Sequence, residues 1–177
     1  MTLSPNALIA RLASIRLLVL DVDGVLTDGG LYYTESGEIL KKFNVKDGLG
    51  IKQLINSGVE VAIISANSSE ATLHRAQRLN VEHVFINAKD KLGTLKALCD
   101  RLGLDLQQVA SMGDDLSDLP VMQAVGLPMT VADAMPANIA CAAYVTQKGG
   151  GEGAVREVCD RLIAAQQAAQ PMIQKVK

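Results

Sequence analysis

The chain has 177 residues, about half of them apolar, 3% aromatic and none tryptophan, which suits one α/β domain with an aliphatic core and leaves too little chain for two. A net charge of -2 argues against a nucleic-acid partner or an anionic membrane surface. No apolar run approaches the ~18 residues of a membrane span, and Met1 to Arg11 lacks the apolar core of a signal peptide, so a cytoplasmic protein is expected. Cys99, Cys141 and Cys159 are odd in number and widely spaced, as small core residues in a reducing compartment would be.

Ser4-Pro5 and the residues Ala7 to Ala13 predict a short capped helix. The stretch from Leu17 to Gly29 follows, and the rest of the chain is organised around it. Its apolar run reads as a buried strand. The run stops at Asp21-Val22-Asp23-Gly24, with Thr27 and Asp28 just beyond. Side chains two apart on an extended chain point the same way, and two neighbouring carboxylates repel unless a cation or a shared proton relieves them. A hard divalent ion such as magnesium is the simplest relief. An Asp-rich turn without function would gain nothing from delivering two charges to the end of a buried strand.

Leu31 to Thr34 and Ile39 to Phe43 are β-prone arms around a Gly-containing turn, a hairpin over about 29–43 that is expected to act as a flap. After Asn44-Val45-Lys46-Asp47-Gly48, helical spacing runs from Leu49 to Asn56, closed by Gly58. Val59 to Ile64 is a second buried strand ending at Ser65-Ala66-Asn67-Ser68-Ser69. A hydroxyl at that point can meet a phosphate beside backbone N–H groups, whereas Ser68 and Ser69 suit helix capping. A helix through Ala71 to Leu79 carries His74, read as a surface residue, and Arg75. Val84 to Ile86 predicts a short strand, and a helix then runs to Leu102. Lys89 and Lys91 lie at its start, where lysine opposes the helix dipole, so either function or solvation must account for them. Gln108 to Met112 is a further strand, and it ends in Gly113-Asp114-Asp115-Leu116-Ser117-Asp118. A second acidic cluster after a second buried strand would complete a metal site that two carboxylates leave under-coordinated. Leu127 to Ala134 and Ala143 to Thr146 read as two more strands with their loops. Gly149 to Gly153 then leads into an amphipathic helix from Ala154 to Ala169.

These motifs, in this order, resemble those of the haloacid dehalogenase superfamily of phosphatases: Asp21-x-Asp23, Ser65 after the second strand, Lys91, and Gly113-Asp114-Asp115-x-x-Asp118. The resemblance implies a three-layer Rossmann-like α/β fold with a central, mostly parallel sheet. It implies Asp21 as the nucleophile and Asp23 as general acid and base. Mg2+ would be held by Asp21, Asp114 and the backbone carbonyl of Asp23, with Ser65 and Lys91 on the phosphate and Asp115 and Asp118 behind the ligands. About forty residues separate Asp21 from Ser65, while a lid domain needs on the order of a hundred. A single domain over 1–177 with no cap domain is therefore expected.

A finer resemblance, to 3-deoxy-D-manno-octulosonate 8-phosphate phosphatases, rests on Asp21 to Gly29, Lys42 to Gly48, Gly113-Asp114-Asp115 and Gly153-Ala154-Val155-Arg156-Glu157. It implies a sugar acid phosphate as the substrate, made in lipopolysaccharide precursor synthesis. Substrate contacts would come from Asp23, Asn44, Val45, Lys46, Asp47, Gly48, Lys52, Arg75 and Lys91, and Thr27 is near enough in sequence to help. It also implies a homo-oligomer, most simply a tetramer, in which the hairpin of one subunit closes the site of the next. The family usually has an arginine where this chain has Asn67, so a related nine-carbon, sialic-acid-like sugar phosphate is the alternative substrate. A non-catalytic scaffold member of the family is disfavoured by the intact Asp21, Asp23, Lys91 and Asp114.

Overall fold

The computed structural model describes residues 4–169. Helix α1 (Pro5–Ser14) starts where the Ser4 hydroxyl accepts from the Ala7 N–H, and strand β1 (Leu17–Leu20) follows with all four residues buried. The hairpin β2 (Tyr32–Tyr33) and β3 (Ile39–Leu40) forms a two-stranded antiparallel sheet of its own. Next come α2 (Val45–Asn56), β4 (Glu60–Ile64), α3 (Glu70–Leu79), β5 (His83–Phe85) and α4 (Lys91–Leu102). The chain continues through β6 (Val109–Met112), α5 (Leu119–Ala124), β7 (Leu127–Thr130), α6 (Pro136–Cys141), β8 (Tyr144–Val145) and α7 (Ala154–Ala169).

The six-stranded sheet is ordered β5-β4-β1-β6-β7-β8, with every pair parallel. Its side chains alternate between two cores. Leu18 and Leu20 pack with Ile51, Leu54, Val155, Val158 and Leu162 on one face, while Leu17 and Val19 pack with Leu95, Leu98, Val121 and Val125 on the other. That is the three-layer arrangement, and it explains why the central strands read as unbroken apolar runs rather than alternating ones. From β1 the chain first winds outward through β4 and β5, then returns to add β6, β7 and β8 on the other side. The order reverses beside β1, and in open α/β sheets the crevice at the carboxyl ends of strands at such a point is where ligands bind.

Three local features differ from the sequence expectation. Helix α2 begins at Val45 rather than Leu49, because the Asn44 side chain accepts from the Lys46 N–H at 2.8 Å and starts the helix a turn earlier. Gly48 and Gly50 disguise that turn, since glycine is a poor helix former. Both pack closely on a neighbour: a Cβ would lie 2.3 Å from Arg75 Nη2 at Gly48 and 3.1 Å from the Arg156 Cα at Gly50. Helices α5 and α6 have six residues each, too short for a periodic pattern to register. Ser69 occupies the start of α3, but its side chain makes no capping bond.

Candidate active site

Three strand ends build the site. At the first, the Asp21 N–H donates to the Met112 carbonyl at 3.1 Å, which carries the β1–β6 pairing one residue past the strand and fixes where that carboxylate emerges. The chain then turns sharply, with the N–H groups of Val25, Leu26 and Thr27 all donating to the Val22 carbonyl. The buried Thr27 hydroxyl donates to the same carbonyl and accepts from Gly24 and Gly29. Thr27 thus shapes the loop, and its hydroxyl is committed to backbone rather than offered to a ligand. Gly24 sits at φ +84°, and a Cβ there would fall 2.0 Å from Asp114 Oδ2. Only glycine lets the first loop and the Asp114 carboxylate share this space.

At the end of β4, the buried Ser65 hydroxyl accepts from the Asn67 N–H at 3.2 Å. Backbone bonds from Ser65 N–H to Phe85 and from Ala88 N–H to Ser65 hold that strand end to its neighbour. Lys91 opens α4, where Asp90 caps the helix by accepting from Gly93. Its ammonium lies 2.9 Å from Asp21 Oδ1 and 2.7 Å from Asp118 Oδ1, with only 6% of the side chain exposed. Burial alone would lower the Lys91 pKa, but the Asp21 and Asp118 carboxylates outweigh it and raise it. The dipole conflict noted in the sequence is answered by these two anions. Lys89 is exposed.

Beyond β6, Asp118 directs one oxygen to Lys91 and accepts with the other from the Asp114 and Asp115 N–H groups. Asp115 caps the following turn by accepting from Leu116. Carboxylate oxygens of Asp21, Asp114 and Asp118 lie within 4.8 Å of one another. Burial, then the charge of Asp118, pushes the Asp21 carboxyl up to about 6, and burial, then Asp21 and Asp118, pushes Asp114 up to about 7. An all-oxygen donor set with surplus negative charge fits a hard divalent cation. Asp118, accepting on both oxygens, holds the surroundings of Asp21 and Asp114 in place.

A cleft of about 310 Å³ lies over these groups, lined among others by Asp21, Asp23, Ser65, Asn67, Lys91 and Asp114. The remaining residues expected to contact substrate lie elsewhere. Val45, Gly48, Lys52 and Arg75, together with Leu49 and Arg78, line a second groove of about 350 Å³ between α2 and α3. Arg75 donates to the Asn44 carbonyl and lies over the Phe43 ring. The Asn44 amide donates to the Gly151 carbonyl, Asp47 is buried and accepts from the Arg156 N–H, and Lys46 is exposed. One chain therefore presents an acidic cleft and a basic groove as separate openings. The sequence reading missed Lys41, which ion-pairs with Asp23. Nothing in the spacing separates Lys41 from Lys42, which turns outward to Asp28 at 2.6 Å.

Residues 84–157 match the family model described as haloacid dehalogenase-like hydrolase. The chain is 48% identical over 158 residues to the 3-deoxy-D-manno-octulosonate 8-phosphate phosphatase of Escherichia coli strain K12, covering 89% of this chain and 84% of that protein. Two solved structures are similar throughout. The phosphatase of the same name from Yersinia pestis superposes with a TM-score of 0.88 at 48% identity, covering 90% of this chain and 86% of the other. The Moraxella catarrhalis phosphatase, solved with a magnesium ion, a phosphate ion and a KDO molecule, has a TM-score of 0.90 at 38% identity over 93% of this chain and 90% of the other. The chain belongs to the haloacid dehalogenase-like hydrolases, in the family of the 3-deoxy-D-manno-octulosonate 8-phosphate phosphatases.

Proposed function

We propose that this protein is a magnesium-dependent phosphatase that releases phosphate from 3-deoxy-D-manno-octulosonate 8-phosphate through a phosphoaspartate. The observation that carries the reading is the placement of Asp21. It stands at the carboxyl end of the central strand, with one oxygen held by Lys91 and its carboxylate on a cleft that also presents Ser65 and Asp114. Such a carboxylate is a nucleophile held in place. Asp21 attacks phosphorus, the bond from phosphorus to the sugar oxygen breaks, and the electron pair leaves with that oxygen, which takes a proton from Asp23. Asp23, now ionised, then removes a proton from the water that cleaves the phosphoaspartate. Lys91 and the Ser65 hydroxyl stabilise the phosphoryl oxygens. Magnesium, held by Asp21, Asp114 and the Asp23 carbonyl, supplies further charge neutralisation when bound.

Asn67 favours a second reading of the substrate. It lines the cleft where the resemblance leads one to expect an arginine, so a fixed cation for the sugar carboxylate is missing from this strand end. A nine-carbon sugar acid phosphate is then the competing substrate. Phosphate release measured with Mg2+ over both classes decides between them. The highest kcat/KM is expected for the octulosonate 8-phosphate; preference for the nine-carbon substrate would move the assignment, and no release from either would overturn it. Asn67→Arg should lower KM for the octulosonate by about ten- to a hundredfold, the worth of one charge-assisted contact, and an unchanged KM would show that the carboxylate is already bound elsewhere.

A homotetramer completes the reading. Leu31, Tyr33 and Leu40 of the hairpin are 55%, 63% and 56% exposed, and the basic groove on α2 and α3 stands apart from the cleft of its own chain. A neighbouring copy that covers the hairpin buries this apolar surface and excludes water from the site.

A further inference from the structure

Lys41 follows β3 directly and turns inward, so that only 1% of its side chain is exposed, and its ammonium pairs with Asp23 Oδ1 while the Asp23 side chain remains 34% exposed. Its neighbour Lys42 turns outward and is 62% exposed. The alternation is that of an extended strand, so the inward direction of Lys41 is set by the hairpin. An ammonium donating to one oxygen removes rotational freedom from the Asp23 side chain and leaves the other oxygen, the one that carries the transferable proton in the acid form, for the cleft that Asp23 lines. We infer that Lys41 is a positioning residue for the proton transfer, tethering the Asp23 carboxylate to the root of the hairpin so that hairpin placement and acid orientation are one event. The inference rests on Asp23 being the general acid, as proposed above.

Leaving-group dependence separates this role from a merely structural one. The value of kcat/KM reports the steps through departure of the leaving group. p-Nitrophenolate departs without a proton, whereas a sugar alkoxide needs one. Lys41→Met should lower kcat/KM for the octulosonate 8-phosphate by about 10- to 100-fold, within the range of a general-acid contribution, and should change kcat/KM for p-nitrophenyl phosphate by less than about threefold. Lys41→Arg, which keeps the cation, should restore most of the loss. A crystal structure of Lys41→Met should show the Asp23 carboxylate in a different rotamer. Equal losses on both substrates, or no loss on either, would overturn the inference. If Lys41→Met does not fold, Lys41→Gln answers the same comparison. Asp23→Asn is the control for the underlying reading: if it lacks the selectivity, the acid assignment fails, and if it shows the selectivity while the Lys41 variants do not, the tether alone fails.

Discussion

Asp21 answers to Lys91, Asp114 and Asp118 at once, and its chemistry follows from that balance. Lys91 at 2.9 Å favours its ionised form, while burial and the Asp118 charge push its pKa up to about 6. Asp21→Asn keeps the shape and removes the carboxylate proposed as the nucleophile. It should abolish phosphate release and leave the circular dichroism spectrum unchanged, and substantial turnover with Mg2+ present would refute the nucleophile assignment. A pH prediction follows from the same environment. Asp21 and Asp114 have folded pKa values raised to about 6 and about 7 from 3.8, so their contribution to stability is present below about pH 4 and is lost as pH rises through 6 to 7. Cation binding needs the ionised carboxylates. In thermal melts, Mg2+ should therefore raise Tm little at pH 5 and fully at pH 8. At a hundred times Kd the gain is about 2.7 kcal/mol, or roughly 5 to 10 °C for a chain of this size. An equal shift at both pH values would count against Asp21 and Asp114 as the ligands.

Among the elements, the first turns of α2 and α7 are joined by one buried carboxylate. Asp47 Oδ1 accepts from the Arg156 N–H at 2.8 Å, so it caps the first turn of α7 from outside that helix. The Gly149 to Gly153 segment, which leads into α7, packs on the loop after β1. The Gly151 N–H donates to the Val25 carbonyl, and a Cβ on Gly150 would lie 1.9 Å from the Gly24 oxygen. Removing a capping acceptor costs about 0.5–2 kcal/mol, and leaving buried donors unsatisfied can add to it. Asp47→Ala should lower stability by about 1–3 kcal/mol in urea unfolding with an unchanged m-value, and no change would mean that water replaces the cap.

At the scale of the whole molecule, the hairpin strands stand outside the core of their own chain. Its sheet is separate, and Leu31, Tyr32, Tyr33, Ile39 and Leu40 are exposed, whereas Phe43, at its root, packs against the core. Light scattering should show a tetramer, and deletion of residues 31–39 should yield smaller species with reduced turnover of the sugar substrate. A fully active monomer, or a deletion variant that keeps both rate and sugar selectivity, would defeat the proposed assembly. Among the described residues, no helix is long and apolar enough to cross a membrane.

Much of the site could be read in the sequence because its chemistry sits at strand ends. There an apolar run gives way to Asp21-x-Asp23, Ser65 or Gly113-Asp114-Asp115, and a local pattern of burial followed by charge needs no knowledge of distant neighbours. Strand identity and the parallel α/β class were legible for the same reason, since both faces of each central strand are covered. Only the tertiary structure decided what depends on residues far apart in the chain. It showed why Gly24 must lack a side chain, because Asp114 occupies that space. It extended α2 through Gly48 and Gly50, whose partners Arg75 and Arg156 no local pattern reveals. It set Thr27 to shaping its loop, engaged both oxygens of Asp118, and placed Lys52 and Arg75 outside the cleft. It also distinguished Lys41 from Lys42, two identical side chains whose roles diverge because a strand turns successive residues to opposite faces.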